Sequence, residues 1–305
     1  MAEQSHSIKM APETLAPDEA LEGNAAAPTG FPARGVPVIT GINRVGLWSL
    51  YVKEVRRFFK VQTQTVWAPA VTTLLFLIIF TVALGGSGGR SGREALGVPF
   101  ASFVAPGLIV MGMMQNAFAN SSFSLLSGKL QGTIIDLLMP PLSVGELMTG
   151  IVAAAVTRAA LVGLAVGGAM LLYPGVSLAM AHPWAVLWFG LMGAVMLALL
   201  GLITSIWAEK FDHAAAVTNF VVAPLSLLSG TFYVIHNLAP LFQAVSRANP
   251  FFYVISGFRF GFLGQSDIGN TNGAVLAAAL GLALFNLVLG TATYALLRSG
   301  WKIKS

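Results

Sequence analysis

The chain has too little charge for an ordinary soluble protein. Only 10% of its 305 residues are charged, against roughly 25% in soluble globular domains, and 56% are hydrophobic. Lys and Arg fall mostly at the edges of long apolar runs, so the net charge of +5 does not indicate a nucleic-acid partner. The composition predicts a membrane protein that contacts the lipid bilayer over most of its length.

Cysteine is also absent, and histidine is scarce. Without cysteine the chain can hold no disulfide, thiolate nucleophile or zinc–thiolate site. The four histidines, at positions 6, 182, 213 and 236, show no metal-ligand spacing, so we predict no metal site. Asp212 and His213 are adjacent but have no nucleophile motif beside them, which favours a solvated turn. We therefore predict no catalytic residue.

Two further absences concern the energy source. No GxxxxGK[ST] sequence is present to bind a nucleotide. The apolar runs contain no Asp or Glu, which argues against a carrier that binds its coupling ion to intramembrane carboxylates. An ion-coupled carrier that uses unwound helices, or an intramembrane enzyme, remains an alternative. If this protein moves a substrate uphill, the energy comes from another subunit.

Six runs are long and apolar enough to cross a bilayer as helices, which takes about 20 residues each. They cover residues 66–84, 100–120, 147–172, 184–207, 217–235 and 274–297. With a cytoplasmic N-terminus, nine basic residues flank the inner ends and four lie outside. The inner set is Lys53, Arg56, Arg57, Lys60, Lys129, Lys210, Arg298, Lys302 and Lys304; the outer set is Arg90, Arg93, Arg247 and Arg259. The positive-inside rule then predicts a multi-pass plasma (inner) membrane protein with both termini in the cytoplasm.

The segments outside the spans suggest three further features. Residues 1–40 are rich in Ala, Pro, Gly and Glu and predict a disordered cytoplasmic tail. Residues 41–65 predict an amphipathic interface helix with an apolar stripe and a basic face that includes Lys53, Arg56 and Arg57. The remainder, 66–305, is the six-span domain. Residues 251–263 form an apolar stretch too short to span, which predicts a re-entrant or interfacial helix after a break at Asn249-Pro250.

Arg158 is the only charged residue within a predicted span. A charge at that depth is costly, so its side chain should face a partner helix, a cavity or an interface. Two roles stay open for it. It either pairs with backbone groups or snorkels within a long span, or it meets an anionic substrate.

Residues 129–141 (KLQGTIIDLLMPP) lie between two apolar runs and predict a short capped helix on the inner side. Thr133 and Asp136 fit the [ST]-x-x-[DE] capping box, and Pro140-Pro141 stops the helix after about two turns. An apolar helix of this kind fits a groove on another protein, although it could also lie on lipid.

Gly132 to Pro141, followed by Glu146-Leu147, resembles the inner-loop motif of type-two ABC transporter permeases. Residues 228–233 (LSGTFY) are similar to that family's Ser-Gly motif, and 249–253 (NPFFY) with Phe258-Arg259 to its Asn-Pro-aromatic segment. The resemblance covers roughly residues 45–304, in order; the Ala/Pro-rich tail departs from it.

The resemblance implies an all-α membrane protein with six transmembrane helices, an interface helix, a short cytoplasmic coupling helix and re-entrant outer helices before the last span. Two copies would form the channel of an ABC exporter, and two copies of a separate ATPase subunit would carry ATP and Mg. Coupling to the ATPase is expected at Gly132, Thr133, Ile134, Asp136, Leu137 and Leu138, with the interface helix contributing Lys53, Glu54, Arg56 and Arg57. The candidate translocation pathway is Arg158, Ser229, Gly230, Asn249, Pro250 and Arg259.

Overall fold

The computed structural model describes residues 41–85, 94–269 and 271–302. The predicted disordered tail, the outer-loop arginines Arg90 and Arg93, and Lys304 lie outside these residues. Within them the chain is almost entirely helical. Its extended structure there is a hairpin of two two-residue strands, β1 (Glu94–Ala95) and β2 (Val98–Pro99), paired antiparallel.

The helices follow one another with short connections. They are α1 (Arg44–Phe59), α2 (Ala68–Gly85) with a preceding π-turn (Thr63–Trp67), α3 (Phe100–Leu130), α4 (Ile134–Leu138), α5 (Val144–Met170), α6 (Pro183–Trp207), α7 (Phe211–Val217), a π-turn (Thr218–Val222), α8 (Ala223–Leu227), α9 (Pro240–Ala248), α10 (Pro250–Leu263) and α11 (Asn272–Ser299). A 3₁₀ turn (Ile235–Asn237) lies between α8 and α9.

Five of the predicted spans coincide with helices that are long and apolar enough to cross a membrane. They are Thr63–Ala83, Phe100–Leu130, Val144–Met170, Pro183–Trp207 and Asn272–Ser299. Helix α3 is the centre of the bundle and packs against α2, α5, α6 and α10. Because α3 is largely buried while α2 and α11 are largely exposed, the outer faces of α2 and α11 are available to lipid or to another subunit.

The second span is longer than predicted. The sequence suggested an end at Asn120, but α3 continues to Leu130. The Ser-rich continuation stays helical because its hydroxyls bond back to the helix; the Ser121 hydroxyl, for example, donates to the Ala117 carbonyl at 3.0 Å. Polarity therefore did not mark the end of the helix, and α3 projects beyond the predicted span.

The fifth predicted span, 217–235, is not one long helix. The chain is helical from Phe211 to Leu227 through α7, a π-turn and α8, and then turns at Gly230, whose φ is +76°. Pro224 has no amide hydrogen and cannot donate a helical hydrogen bond, and the wider π-turn directly before it accommodates this missing bond. The helical part is about 25 Å long, slightly short of a bilayer core of about 30 Å.

Two apolar clusters hold the bundle together. The larger one runs through α3, α5, α6 and α10. Its helices approach closely at glycines, and a Cβ on Gly257 of α10 would lie 2.4 Å from the Phe189 ring of α6. The smaller cluster joins α1, α4 and α5 to the C-terminal ends of α6 and α11. We call the end of the bundle that holds this smaller cluster the α4 end.

Candidate functional site

Helix α4 is a single short helix that begins after a tight turn. Gly132 has φ +70°, a conformation that favours glycine, and reverses the chain after α3. The helix Ile134–Leu138 has five residues, so it is shorter than the two turns expected from the sequence. A helix of this length is not stable alone, since isolated helices need roughly 12–15 residues. Its position therefore depends on contacts with the rest of the chain.

The predicted capping box at Thr133 and Asp136 is absent, and this prediction was wrong. Thr133 already has near-helical dihedrals (φ −93°, ψ 10°), and its side chain makes no capping hydrogen bond. A capping hydroxyl needs an extended backbone at the cap position, which the turn through Gly132 does not leave. The capping box forms one element later: Ser143 caps α5, accepting from the Glu146 amide at 3.2 Å, while Glu146 accepts from the Ser143 amide at 2.7 Å.

The two faces of α4 have different surroundings. Leu137 is only 8% exposed and belongs to the cluster at the α4 end, against which Ile134 also packs. Ile135 is 61% exposed and Met139, directly after the helix, is 76% exposed, with Asp136 exposed between them. Leu137 is therefore an anchor to the chain itself, and the outward face offers two apolar side chains around one carboxylate. The side chain of Leu138 lies outside the described residues.

Glu146 ties the start of α1 to the segment after α4. Besides capping α5, its carboxylate accepts a short hydrogen bond from the Asn43 amide. The Asn43 side chain caps α1 by accepting from the Gly46 amide at 2.9 Å, and its Nδ2 donates to the Pro141 carbonyl at 3.2 Å. The approach is close, since a Cβ on Gly46 would lie 2.8 Å from Leu142 Cδ2. Helix α1, the α4 segment and α5 are thus joined by direct polar contacts.

Helix α1 spans Arg44–Phe59, within the predicted 41–65, and its four expected surface residues divide into two pairs. Lys53 and Arg56 are exposed, as predicted. Glu54 is 2% exposed and faces the protein, and it pairs at 2.8 Å with Arg57, whose side chain is partly exposed. Burial lowers the pKa of Arg57, and the Glu54 carboxylate opposes that shift. Arg57 remains charged, because an arginine does not deprotonate in proteins.

Arg57 and Arg158 bind two asparagines on one face of α3. The Arg57 guanidinium donates to the Asn120 carbonyl at 2.7 Å, and the Arg158 guanidinium donates to Asn116 Oδ1 at 2.8 Å. Asn116 and Asn120 are four residues apart, which places them one above the other on the helix. The structure thus gives Arg158 a neutral side-chain partner within the bundle, which sequence reasoning did not identify.

The residues assigned to the pathway from the two outer motifs meet each other. Asn249 Nδ2 donates to the Ser229 hydroxyl at 2.9 Å and to the Leu225 carbonyl at 2.7 Å, while its Oδ1 accepts from the Phe251 amide at 3.0 Å. Asn249 therefore caps α10, whose first residue is Pro250, and fixes it against the end of α8. Ser229, Gly230 and Asn249 are buried. They are packed within the described part of this chain, and their assignment to the translocation pathway stays a prediction.

Arg259 is the centre of the region around α10. It is fully buried, and its guanidinium donates to Asp267 at 3.3 Å, to the Phe103 carbonyl at 3.1 Å and to the Gly230 carbonyl at 2.8 Å. The guanidinium also lies 3.8 Å from the centroid of the Phe103 ring, a cation–π distance. One side chain thus joins α10, α3, the turn after α8 and the loop after α10. Asp267 was missed because a lone acidic residue in an outer loop gives no signal of its partner.

Lys129 was expected only as a flanking positive charge, but it has a specific contact. Its Nζ donates to the carbonyls of Ser205 (3.2 Å), Ile206 (2.8 Å) and Ala208 (2.8 Å) at the C-terminal end of α6. The last carbonyls of a helix lack intrahelical partners and carry partial negative charge, so a lysine there supplies both a hydrogen-bond donor and a positive charge. His213 accepts from the Glu209 amide at 3.3 Å, and Asp212 lies in the first turn of α7.

The chain resembles known transport proteins over most of its length. Residues 45–263 match the family model of the ABC-2 type transporter. The inner membrane transport permease YadH of Escherichia coli (strain K12) is 36% identical over 225 residues, which cover 73% of this chain and 85% of YadH. Nodulation protein J of Rhizobium leguminosarum bv. viciae is 26% identical over 233 residues, covering 74% of this chain and 84% of that protein. The chain therefore belongs to the ABC-2 type transporter family and is a transmembrane permease subunit of an ABC transporter.

Proposed function

We propose that two copies of this chain form the membrane pathway of an ATP-driven exporter. Two copies of a separate ABC ATPase subunit would bind at the α4 end and would hold all of the ATP and Mg. In this assignment the chain contributes no catalytic residue, no cofactor and no nucleic-acid contact. The name of the relative YadH, an inner membrane transport permease, supports placing this chain in the inner membrane as well.

The observation that carries the proposal is the exposed face of α4. Two neighbouring apolar side chains, Ile135 and Met139, are exposed around Asp136 on a helix that is anchored from behind by Leu137. An amphipathic helix presented in this way fits a hydrophobic groove on another protein. The matching motif is the coupling helix in this family, so the ATPase subunit is the expected partner.

The contacts behind α4 explain how a push on it could reach the bundle. Leu137 belongs to one buried apolar cluster with residues of α1, α3, α5, α6 and α11, and Glu146 links the start of α5 to Asn43 before α1. Since α4 is bound to these elements, movement of an ATPase against its exposed face would shift the helices with it. If the nucleotide-bound ATPase subunits bind one conformation of the permease more tightly than another, nucleotide binding would drive the permease between these two conformations.

We place the α4 end in the cytoplasm, together with both termini. Support comes from the basic residues at that end, including Lys53, Arg56 and Lys129. Helices α9 and α10 would then be re-entrant or interfacial on the outer side. The segment 211–235 would make the remaining crossing, giving six in all. Its turn at membrane depth is tolerable because the Arg259 guanidinium donates hydrogen bonds to the carbonyls of Gly230 and Thr231 inside the protein.

Co-purification tests this assignment. The tagged chain is co-expressed with a candidate ABC ATPase subunit from the same organism, and the retained ATPase is measured for wild type, for Ile135→Asp and for Ala179→Asp. Ala179 is exposed in the loop at the opposite end of α5 and serves as the matched control. We expect Ile135→Asp to lose the ATPase and Ala179→Asp to retain it. Equal retention by all three proteins would contradict docking at α4.

A further inference from the structure

The arginines of α1 and α5 belong to a polar cluster that the coupling role does not use. It consists of Glu54, Arg57, Asn116, Asn120 and Arg158, and we call it the arginine cluster. Asn120 is 1% exposed, whereas the side chain of Arg57 is 32% exposed and Arg158 is partly buried. The Arg57 side chain therefore reaches the surface of the described chain, Arg158 is partly covered, and the two asparagines of α3 form a polar floor.

The charges of the arginine cluster do not balance. The cluster contains two guanidiniums but only one carboxylate, that of Glu54, which pairs with Arg57 at 2.8 Å. Within residues 41–85, 94–269 and 271–302, no carboxylate lies within ion-pair distance of Arg158. Arg57 and Arg158 bind asparagines one turn apart on α3, so the two positive charges lie on the same face of that helix. A lone guanidinium in a membrane-spanning helix is costly, which makes this cluster short of one negative charge.

Donors without partners point to the same place. Among the described residues, Arg158 Nε and Asn120 Nδ2 are buried and have no hydrogen-bond acceptor. A buried donor without a partner costs roughly 1–3 kcal/mol, more when it is charged. Arg158 Nη2 and Asn120 Oδ1 are already engaged. Glu54 Oε2, a third buried atom of the cluster, also accepts no hydrogen bond, but it is ion-paired with Arg57 at 2.8 Å, so the two groups without any partner are donors. A ligand that meets both donors would have to be an acceptor, and a negatively charged one would also offset the second guanidinium.

We propose that the arginine cluster binds a phosphate group, carried by a transported molecule or by a membrane lipid. The guanidinium fork fits phosphate oxygens, and a tetrahedral phosphate has enough of them to meet Arg57 and Arg158 from two helices while accepting from Asn120. A carboxylate presents only two oxygens in one plane, and Glu54 already fills that role on Arg57. As a property of the substrate, this inference rests on the proposed export function; as a lipid site it does not.

Direct binding tests the proposal without any transport. The purified full-length chain is kept in a maltoside detergent, which contains no phosphate, and is titrated with short-chain phosphatidic acid or with the matching diacylglycerol. Inorganic phosphate is titrated in parallel against chloride at equal ionic strength. We expect phosphatidic acid to bind and diacylglycerol to bind at least about tenfold more weakly, because a charge-assisted hydrogen bond is lost. Competition by inorganic phosphate would assign the site to free phosphate, and its failure would assign it to a lipid-linked one.

Three substitutions make the test specific. Arg158→Gln keeps a donor for Asn116 but removes the charge, and should weaken phosphatidic acid binding about tenfold or more. Glu54→Gln removes the competing carboxylate and should strengthen binding. Arg44→Gln makes the same charge change on an exposed side chain at the other end of α1 and should leave binding unchanged. Equal binding of phosphatidic acid by wild type and Arg158→Gln, or of diacylglycerol and phosphatidic acid by wild type, would overturn the proposal.

The two proposals fail separately. Loss of the phosphate site alone would leave ATPase co-purification intact, because the arginine cluster does not include α4. Loss of the ATPase interaction alone would leave phosphatidic acid binding by the isolated chain intact. A variant such as Ile135→Asp should therefore bind phosphatidic acid like wild type.

Discussion

Replacing Leu137 with alanine should loosen α4 while the membrane domain stays folded. Leu137 is the buried side chain of α4 and contacts a cluster that includes Leu50, Leu147 and Ile151. Helix α4 has five residues and no side-chain cap at its start, so little else within it maintains its structure. The rest of the cluster is held by long helices and does not depend on α4.

The expected size follows from the burial of the side chain. Buried Leu→Ala substitutions cost about 2–5 kcal/mol, and a short surface helix can settle into the space, which favours the lower end. A loss of about 2 kcal/mol raises the population of the open α4 segment roughly thirtyfold. The global stability should change much less, because this opening is local.

Hydrogen exchange of the peptide that covers residues 131–139 measures this opening. The Met139 amide donates to the Ile135 carbonyl at 2.8 Å and can exchange only when the helix opens. Ile135→Ala is the matched control, because Ile135 is 61% exposed and its truncation removes little buried surface. Leu137→Ala should speed exchange about thirtyfold and Ile135→Ala less than about threefold. Unchanged exchange in Leu137→Ala, or equal acceleration in both variants, would refute the anchoring role.

Three other outcomes follow from the structure. Arg259→Met leaves Asp267 buried without its partner and should lower the free energy of unfolding by about 3–5 kcal/mol. Arg247→Met, at an exposed site, should not lower it. Thermal unfolding in detergent compares the two variants, and equal midpoints would contradict the stabilising role of Arg259. Lys129→Met removes three bonds to the end of α6 and should cost about 1–2 kcal/mol by the same assay, with exposed Lys53→Met as the neutral control. The purified chain without its ATPase subunit should hydrolyse no ATP. Steady phosphate release from it would contradict the assignment of ATP hydrolysis to the separate subunit.

The spans could be predicted from sequence because their signal is local. A run of about 20 apolar residues is sufficient evidence for a crossing, and five of the six runs are long apolar helices. The predictions failed where the backbone departs from the pattern. Serines in α3 bond to their own helix and extend it to Leu130, while Pro224 and the π-turn before it break the 217–235 run.

The site was predictable as a segment but not as a set of contacts. The motif identified residues 132–141, yet the Thr133 cap depends on a backbone conformation that the turn at Gly132 removes. Likewise, Glu54 and Arg57 appear on a helical wheel as surface charges, and their burial follows only from how α1 packs against the bundle. Long-range partners such as Asp267 for Arg259 are set by tertiary packing, which no local pattern contains.

Photo-crosslinking from α4 tests the central claim most directly. Because the natural chain has no cysteine, single cysteines at Asp136 or Ala179 can each be labelled with benzophenone maleimide in the assembled complex. We expect an adduct between the permease and its ATPase subunit from position 136 and none from position 179. Absence of an adduct from 136 in an active complex, or equal adducts from both positions, would contradict it.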